Sequence, residues 1–198
     1  DVPVCLNVNE NPYPPSPELV ADIAAAAGRA AAGLNRYPNR DFMELRADLA
    51  AFLENESHVH VEPENIWAAN GSNEVMLHLL QAFAGPGRTV ASFAPTYSMY
   101  SEYARDVSSR WVAGSRTDSF ELDLDQVRSV LERERPAVVL LTSPNNPTGT
   151  ALPQGQLVQI LDIARETGPE AGQASLVVID EAYAEFRRDG VPSALELL

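Results

Sequence analysis

Across 198 residues the chain carries 28 acidic and 14 basic side chains, a formal net charge of −14, with 45% hydrophobic residues. That composition supports a sizeable core rather than a disordered tail, and its acidity disfavours a general nucleic-acid binder or a protein docked on anionic lipid, both of which need surface cations. Cys5 is the lone cysteine, which excludes an internal disulfide and a cysteine-rich zinc site, and no apolar run approaches the roughly 20 residues that span a bilayer.

The chain opens at Asp1 without a methionine, a basic leader or a signal-like segment, so the expectation is a reduced, cytoplasmic protein whose start has been trimmed. Residues 1–16, ending in Asn9-Glu10-Asn11-Pro12-Tyr13-Pro14-Pro15-Ser16, are too rich in proline for a helix and read as an extended arm. Ser16 suits an N-cap, with Pro17 at the first helical position and Glu18 in the first turn; the alanine-rich helix that follows should stop near Gly33. Residues 36–40 read as a loop, after which Phe42, Leu45, Leu49, Phe52 and Leu53 recur at helical spacing.

From there short apolar runs at 66–69, 89–93, 137–141 and 176–179 read as strands, with a shorter one at 110–113. Helical patterns fall at 73–83, 96–105, 125–131 and 156–166. Runs without alternation suit parallel strands covered on both faces, and strands alternating with helices imply right-handed crossovers in a doubly wound α/β sheet. In such a sheet ligands gather beyond the carboxyl ends of the strands, so the residues just after each strand carry the functional information.

After the first run stands Asn70-Gly71-Ser72-Asn73-Glu74, opening a helix. Glycine allows a tight turn, and a helix N-terminus offers free N–H groups at the positive end of the dipole, which together make a phosphate cradle; a plain helix cap at Ser72 is the alternative. Neither a G-x-G-x-x-G nor a P-loop pattern accompanies it, and Gly85-Pro86-Gly87 reads as a turn only. After the second run comes Ala94-Pro95-Thr96-Tyr97-Ser98-Met99-Tyr100, where Tyr97 either stacks on a planar ring or belongs to the core or surface. After 137–141 stands Thr142-Ser143-Pro144-Asn145-Asn146-Pro147-Thr148-Gly149, a rigid turn in which Asn146 is able to present its amide to a ligand oxygen. After 176–179 comes Asp180-Glu181-Ala182-Tyr183. A carboxylate at a buried strand end is costly without a positive partner, so Asp180 either caps the next segment or, with Tyr183, grips a planar cationic ring.

Phosphate cradle, aromatic platform, amide and acid–phenol pair ask for one ligand, and pyridoxal phosphate meets all four demands. Its phosphate suits the helix N-terminus, its ring stacks on Tyr97, its phenolate oxygen accepts from Asn146 and Tyr183, and its protonated ring nitrogen pairs with Asp180.

The motifs that carry these residues are LNVNENPYPPS (6–16), LNRYP (34–38), AANGSNE (68–74), APTYSMY (94–100), SPNNPTG (143–149) and VIDEAYAEF (178–186). In this order they resemble the fold-type I, class I/II pyridoxal-phosphate-dependent aminotransferases, and within them the histidinol-phosphate aminotransferase branch. The resemblance implies an aspartate aminotransferase-like large domain, a three-layer α/β/α arrangement around a mostly parallel sheet. Residues 1–35 would be an arm and helix leading into that domain and 36–198 its N-terminal portion. It further implies that Ser72, Asn73 and Glu74 surround the cofactor phosphate, that Tyr97 stacks on the pyridine ring, that Asn146 and Tyr183 hold the phenolic oxygen, and that Asp180 holds the ring nitrogen. Tyr37 would reach the other subunit's cofactor phosphate in a homodimer, and Asn11 and Tyr13 would lie near substrate. The implied reaction moves an amino group between L-histidinol phosphate and 2-oxoglutarate, in histidine biosynthesis, with no metal, nucleic acid or membrane.

All the basic residues are arginine; the chain has no lysine. The family's Schiff-base lysine is expected one strand beyond the VIDEAY motif, so the sequence reads as a fragment, trimmed at both ends, inactive alone, with an incomplete sheet in which 66–69 lacks its usual neighbour. An aromatic amino-acid aminotransferase, a threonine-phosphate decarboxylase-like enzyme and a non-catalytic cofactor-binding module are the competing readings, with a flavodoxin-like nucleotide binder as a distant fourth.

Overall fold

A computed structural model describes residues 8–188 and 190–198. Cys5 and the start of the arm motif, Leu6 and Asn7, lie outside the described residues. The chain divides into two compact units, Asp1–Phe42 and Met43–Leu198.

In the first unit residues 8–16 form neither helix nor strand, and helix α1 runs over Pro17–Ala31. It starts there because Ser16 Oγ accepts from the Leu19 amide at 3.2 Å and Pro17, which has no N–H to lose, occupies the first turn. The Glu18 carboxyl, taking hydrogen bonds from its own backbone and Ser16, is held below the usual carboxylate range. The helix ends two residues before Gly33, whose amide turns back to Ala30 O at 3.0 Å. None of its residues is buried. Residues 36–40 form a loop as expected, and Asn39 Oδ1 accepts from the amides of Asp41 and Phe42.

The second unit holds α2 (Met43–Ser57), a 3-10 turn (Pro63–Asn65), α3 (Gly71–Phe83), β1 (Thr89–Ala94), α4 (Met99–Asp106), β2 (Arg110–Ser115), α5 (Leu124–Glu134), β3 (Val138–Thr142), α6 (Gln154–Glu166) and β4 (Leu176–Asp180), followed by two short 3-10 turns. The four strands form one parallel sheet in the order β2-β1-β3-β4. Thr89 pairs with Arg110, Val90 with Val138, and Val138 with Leu176 through to Thr142 with Asp180.

Successive strand residues face opposite sides, and β3 shows the consequence. Val139 and Leu141 join Phe93, Val127, Leu131 and Ile160 in a core under α5 and α6, whereas Val138 and Leu140 join Leu80, Val90, Tyr100 and Ala104 under α3 and α4. All five residues of β3 are buried, which is why its sequence carries no alternation. A third cluster packs Ala50, Val61 and Ile66 with Leu49, Leu53, Val59 and Leu195.

The run at 66–69, expected as a strand without its usual neighbour, is unpaired and forms no strand among the described residues. Its ends are committed to local turns: the Ile66 amide donates to Pro63 O at 3.1 Å and Ala69 O accepts from the Gly71 amide at 2.8 Å. The apolar character that suggested a strand reflects Ile66 packing into the third cluster instead. Among the described residues β4 has β3 alone as a neighbour, so it is an edge of this sheet. Helix α4 begins three residues later than its periodicity suggests, because residues 95–98 turn out of β1 before the helix can start.

Candidate active site

In the order β2-β1-β3-β4 the chain winds to one side of β1 to make β2 and to the other to make β3. That reversal is a topological switch point, where the loops leaving neighbouring strands diverge and open a crevice. The loop after β1 carries Tyr97, the loop after β3 carries Asn146, and β4 ends on Asp180 directly beside Thr142, with the Ser143 amide donating to Asp180 O at 3.0 Å. Between them lies a concavity of about 380 Å³, open to solvent and lined by Ser72, Tyr97, Thr142, Asn146, Asp180, Ala182 and Tyr183. Five residues singled out from four motifs, Ser72, Tyr97, Asn146, Asp180 and Tyr183, therefore meet in one place.

Asp180 has a donor on each oxygen. The Tyr100 hydroxyl donates to Oδ2 at 2.8 Å, and the Ala182 amide donates to Oδ1 at 3.0 Å, so the carboxylate both caps the following turn and faces the concavity. Tyr100 is 0% exposed, and burial, reinforced by the charge of Asp180, pushes its hydroxyl pKa far above the ordinary tyrosine value. It stays protonated and remains a donor. Its ring also braces Tyr97 edge to face, with centroids 5.5 Å apart and planes at 89°, which fixes the Tyr97 ring beside the concavity. The next tyrosine in, Tyr103, donates to Asn73 Oδ1, and burial pushes its hydroxyl up to about 12.

At the start of α3, Gly71 takes φ +77°, a left-handed conformation that side chains disfavour, and turns the chain into the helix. The first amides of a helix have no intrahelical acceptor, and the Asn70 side chain makes no cap to them. Ser72 of this turn lines the concavity. Asn73 and Glu74 do not. Asn73 is engaged by Tyr103, and Glu74 Oε2 accepts from the Asn70 backbone amide at 2.6 Å and from Asn70 Nδ2 at 2.8 Å. Those two donors, the backbone one foremost, hold the Glu74 carboxyl below its usual range. Asn11, Tyr13 and Tyr37 belong to the first unit, where Asn11 Oδ1 accepts from the Tyr13 amide at 3.0 Å and the Tyr37 ring is fully exposed.

Three structural residues of the site escaped the motif reading. Tyr100 stands three residues after Tyr97, one helical turn away. Asn145, 2% exposed, is the first asparagine of SPNNPTG, and Arg116 is the first residue after β2, a strand end that the same rule of inspection would have covered. Among the described residues no group of three or more His, Cys, Asp or Glu side chains could hold a metal ion, and no helix is long and apolar enough to cross a membrane.

The family model for aminotransferase class I and II matches residues 2–196. The chain is 56% identical over 198 residues to histidinol-phosphate aminotransferase 3 of Burkholderia lata, matching all of this chain and 51% of the relative. It is 51% identical over 201 residues to histidinol-phosphate aminotransferase of Bifidobacterium adolescentis, again all of this chain and 51% of the relative. The chain thus spans about half the length of these curated relatives. Among solved structures, histidinol-phosphate aminotransferase from Sinorhizobium meliloti in complex with pyridoxal-5'-phosphate superposes with a TM-score of 0.76 at 24% identity, covering 96% of this chain and 47% of that one. The three-layer sheet is that of the fold-type I enzymes, and the chain belongs to the class I and II aminotransferases.

Proposed function

We propose that these residues form the cofactor-cradling part of a histidinol-phosphate aminotransferase, with pyridoxal 5'-phosphate seated in the concavity at the switch point. The observation that carries this reading is the meeting of Ser72, Tyr97, Asn146, Asp180 and Tyr183 around one opening. The donor set fits the group: open amides at the start of α3 for a phosphate, a braced ring for stacking, an amide and a phenol for an oxyanion, and a carboxylate for a protonated ring nitrogen. When bound, pyridoxal phosphate supplies the electron sink for bonds at the substrate's α-carbon.

The chain's own residues hold and orient it. The turn of Ser72, Asn73 and Glu74 surrounds the phosphate, mainly through the backbone amides left open at the start of α3, while the Glu74 carboxylate is drawn back onto Asn70. Tyr97 covers one face of the ring and excludes water from it. Asn146 and Tyr183 hold the phenolic oxygen. Asp180 holds a proton at the ring nitrogen, and Tyr100 keeps that carboxylate from turning away.

In this reading residues 1–35 lead into the large domain and 36–198 are its N-terminal portion. Asn11 and Tyr13 approach substrate, and Tyr37 reaches the cofactor phosphate of a second subunit in a cytoplasmic homodimer. The names of relatives at about half identity over the whole chain support L-histidinol phosphate as the amino donor; 2-oxoglutarate as acceptor, with glutamate as product, rests on the motif resemblance. The 198 residues include no lysine, so the amine that would carry the cofactor covalently is not among them, and this chain alone does not turn over.

The test is a titration of pyridoxal phosphate into the chain, followed by equilibrium dialysis and by the cofactor's absorption band. Saturable binding that weakens about tenfold or more in Asp180→Ala, the loss of one charge-assisted contact, is the expected result. Binding indifferent to Asp180→Ala overturns the site assignment. Amino transfer by the whole protein from L-histidinol phosphate, in preference to phenylalanine, tests the substrate.

A further inference from the structure

Arg116 stands just beyond β2 with its guanidinium turned in beneath the loops that carry Tyr97 and Asn146. Nε donates to Phe93 O at 3.1 Å, Nη1 to Phe120 O at 3.1 Å and Nη2 to Asn145 Oδ1 at 3.0 Å. All three acceptors are neutral, and among the described residues no carboxylate forms an ion pair with this side chain. Burial lowers its pKa, yet a guanidinium keeps its charge throughout the working range, so a partly buried cation stands here with no carboxylate paired to it among the described residues.

Its contact with Asn145 has the largest consequence. That amide is 2% exposed, and its Nδ2 donates to Pro95 O at 3.1 Å and to Thr148 Oγ1 at 2.7 Å. Pro95 lies in the loop after β1, two residues before Tyr97; Thr148 lies in the loop after β3, two residues past Asn146. One side-chain amide therefore joins the two loops that flank the crevice. A carboxamide has a donor end and an acceptor end. Turned half a revolution, the Asn145 NH₂ would face the guanidinium, donor against donor, while Oδ1 would face Pro95 O, acceptor against acceptor. A guanidinium has only donors to offer, so it admits one orientation of Asn145, and only that orientation ties the loops together.

We propose that Arg116 is a positioning residue of the site: by donating to Asn145 Oδ1 it fixes the amide that joins the Tyr97 loop to the Asn146 loop, and so sets the spacing between aromatic platform and amide donor. The inference deepens the functional reading above and rests on it only for the identity of the ligand held between the two loops.

The experiment compares the chain with Arg116→Gln, Arg116→Lys and Asn145→Asp, using Arg128→Gln on the exposed face of α5 as a control for lost charge. In the cofactor-free chain, hydrogen exchange is read in segments 95–98 and 144–150 against Val138–Thr142. Arg116→Gln should raise exchange in both loops about tenfold, the effect of one buried acceptor left without its donor, and leave β3 protected. Arg116→Lys should recover part of the protection. Asn145→Asp should loosen both loops even though its carboxylate attracts Arg116, because it can no longer donate to Pro95 O. With pyridoxal phosphate added, Arg116→Gln should weaken binding about tenfold and diminish the circular dichroism induced in the bound cofactor, while Arg128→Gln changes neither.

Exchange that rises in the 144–150 loop alone, or in neither loop, overturns the proposal whatever the cofactor does. So does cofactor binding with unaltered affinity and dichroism in Arg116→Gln. If the unmodified chain takes up no cofactor, the functional reading falls, and the exchange pattern decides the role of Arg116 by itself. If Arg116→Gln loses protection in β3 as well, Arg116→Lys and Asn145→Asp decide it through the same two loops.

Discussion

Asp180 and Tyr100 sit eighty positions apart and share one proton-bearing contact, buried on the tyrosine side. Truncating the acid removes the partner of a buried hydroxyl. Asp180→Ala should therefore cost about 1–3 kcal/mol of stability in urea unfolding, and Tyr100→Phe made in that background should restore part of it. A double-mutant cycle without coupling would refute the pairing. A second titratable contact lies on the surface, where His60 Nδ1 approaches Glu54 at 3.2 Å and Nε2 approaches Glu62 at 3.3 Å. Glu54 foremost, then Glu62, raise the His60 pKa. A raised histidine adds stability that is fully present below its unfolded value of about 6.5 and is lost as pH rises through the folded pKa. NMR titration of His60 should give a midpoint above that value, and Glu54→Gln should lower it. Asn146, Asp180 and Tyr183 could be singled out from the sequence because each stands at or within four residues of a strand end in a short motif. Tyr100, Asn145 and Arg116 were not, since their work lies in contacts between segments that only the folded sheet brings together.

Helices and strands show the same division. The buried run of β3 and the Ser16–Pro17 start of α1 follow from local chemistry, and both stand where the sequence suggests. The run at 66–69 has the same apolar look but pairs with no strand among the described residues. Periodicity reports burial, and burial here is supplied by Ala50 and Val61 rather than by a sheet. Close strand packing explains a residue that looks dispensable: a methyl group at Gly114 would stand 2.5 Å from Cδ1 of Phe93, which is itself buried. Gly114→Ala should cost about 1–3 kcal/mol through overpacking. Gly155, the second residue of α6, has open space around it, and Gly155→Ala should instead stabilise by about 0.5 kcal/mol, chiefly by restricting the unfolded chain. Thermal melts of the two variants should move in opposite directions.

For the whole molecule, the alternation of apolar runs and helical patterns foretold the parallel three-layer sheet, while strand order and register lay beyond it. Which strand neighbours which depends on crossovers that no single segment encodes. The absence of lysine makes a sharp chemical test. Reduction with borohydride in the presence of pyridoxal phosphate should leave every residue from Val2 to Leu198 without a pyridoxyl group in the peptide mass map, because guanidinium does not form the imine that the reagent traps. An internal adduct would contradict the assignment of the cofactor amine elsewhere.

The strand order also sets a sequence of events in time. Thr89 need travel only as far as Arg110 to begin β1–β2, whereas Val90 must find Val138, and β4 has no place to dock until β3 is laid down. Closing the shorter loop first is the less costly course. On a growing polypeptide the Tyr97 and Asn146 loops would then be synthesised, and partly folded, well before Asp180 is made. Of the four described strands β4 docks last, so the concavity gains its carboxylate only after the loops that carry Tyr97 and Asn146 are in place.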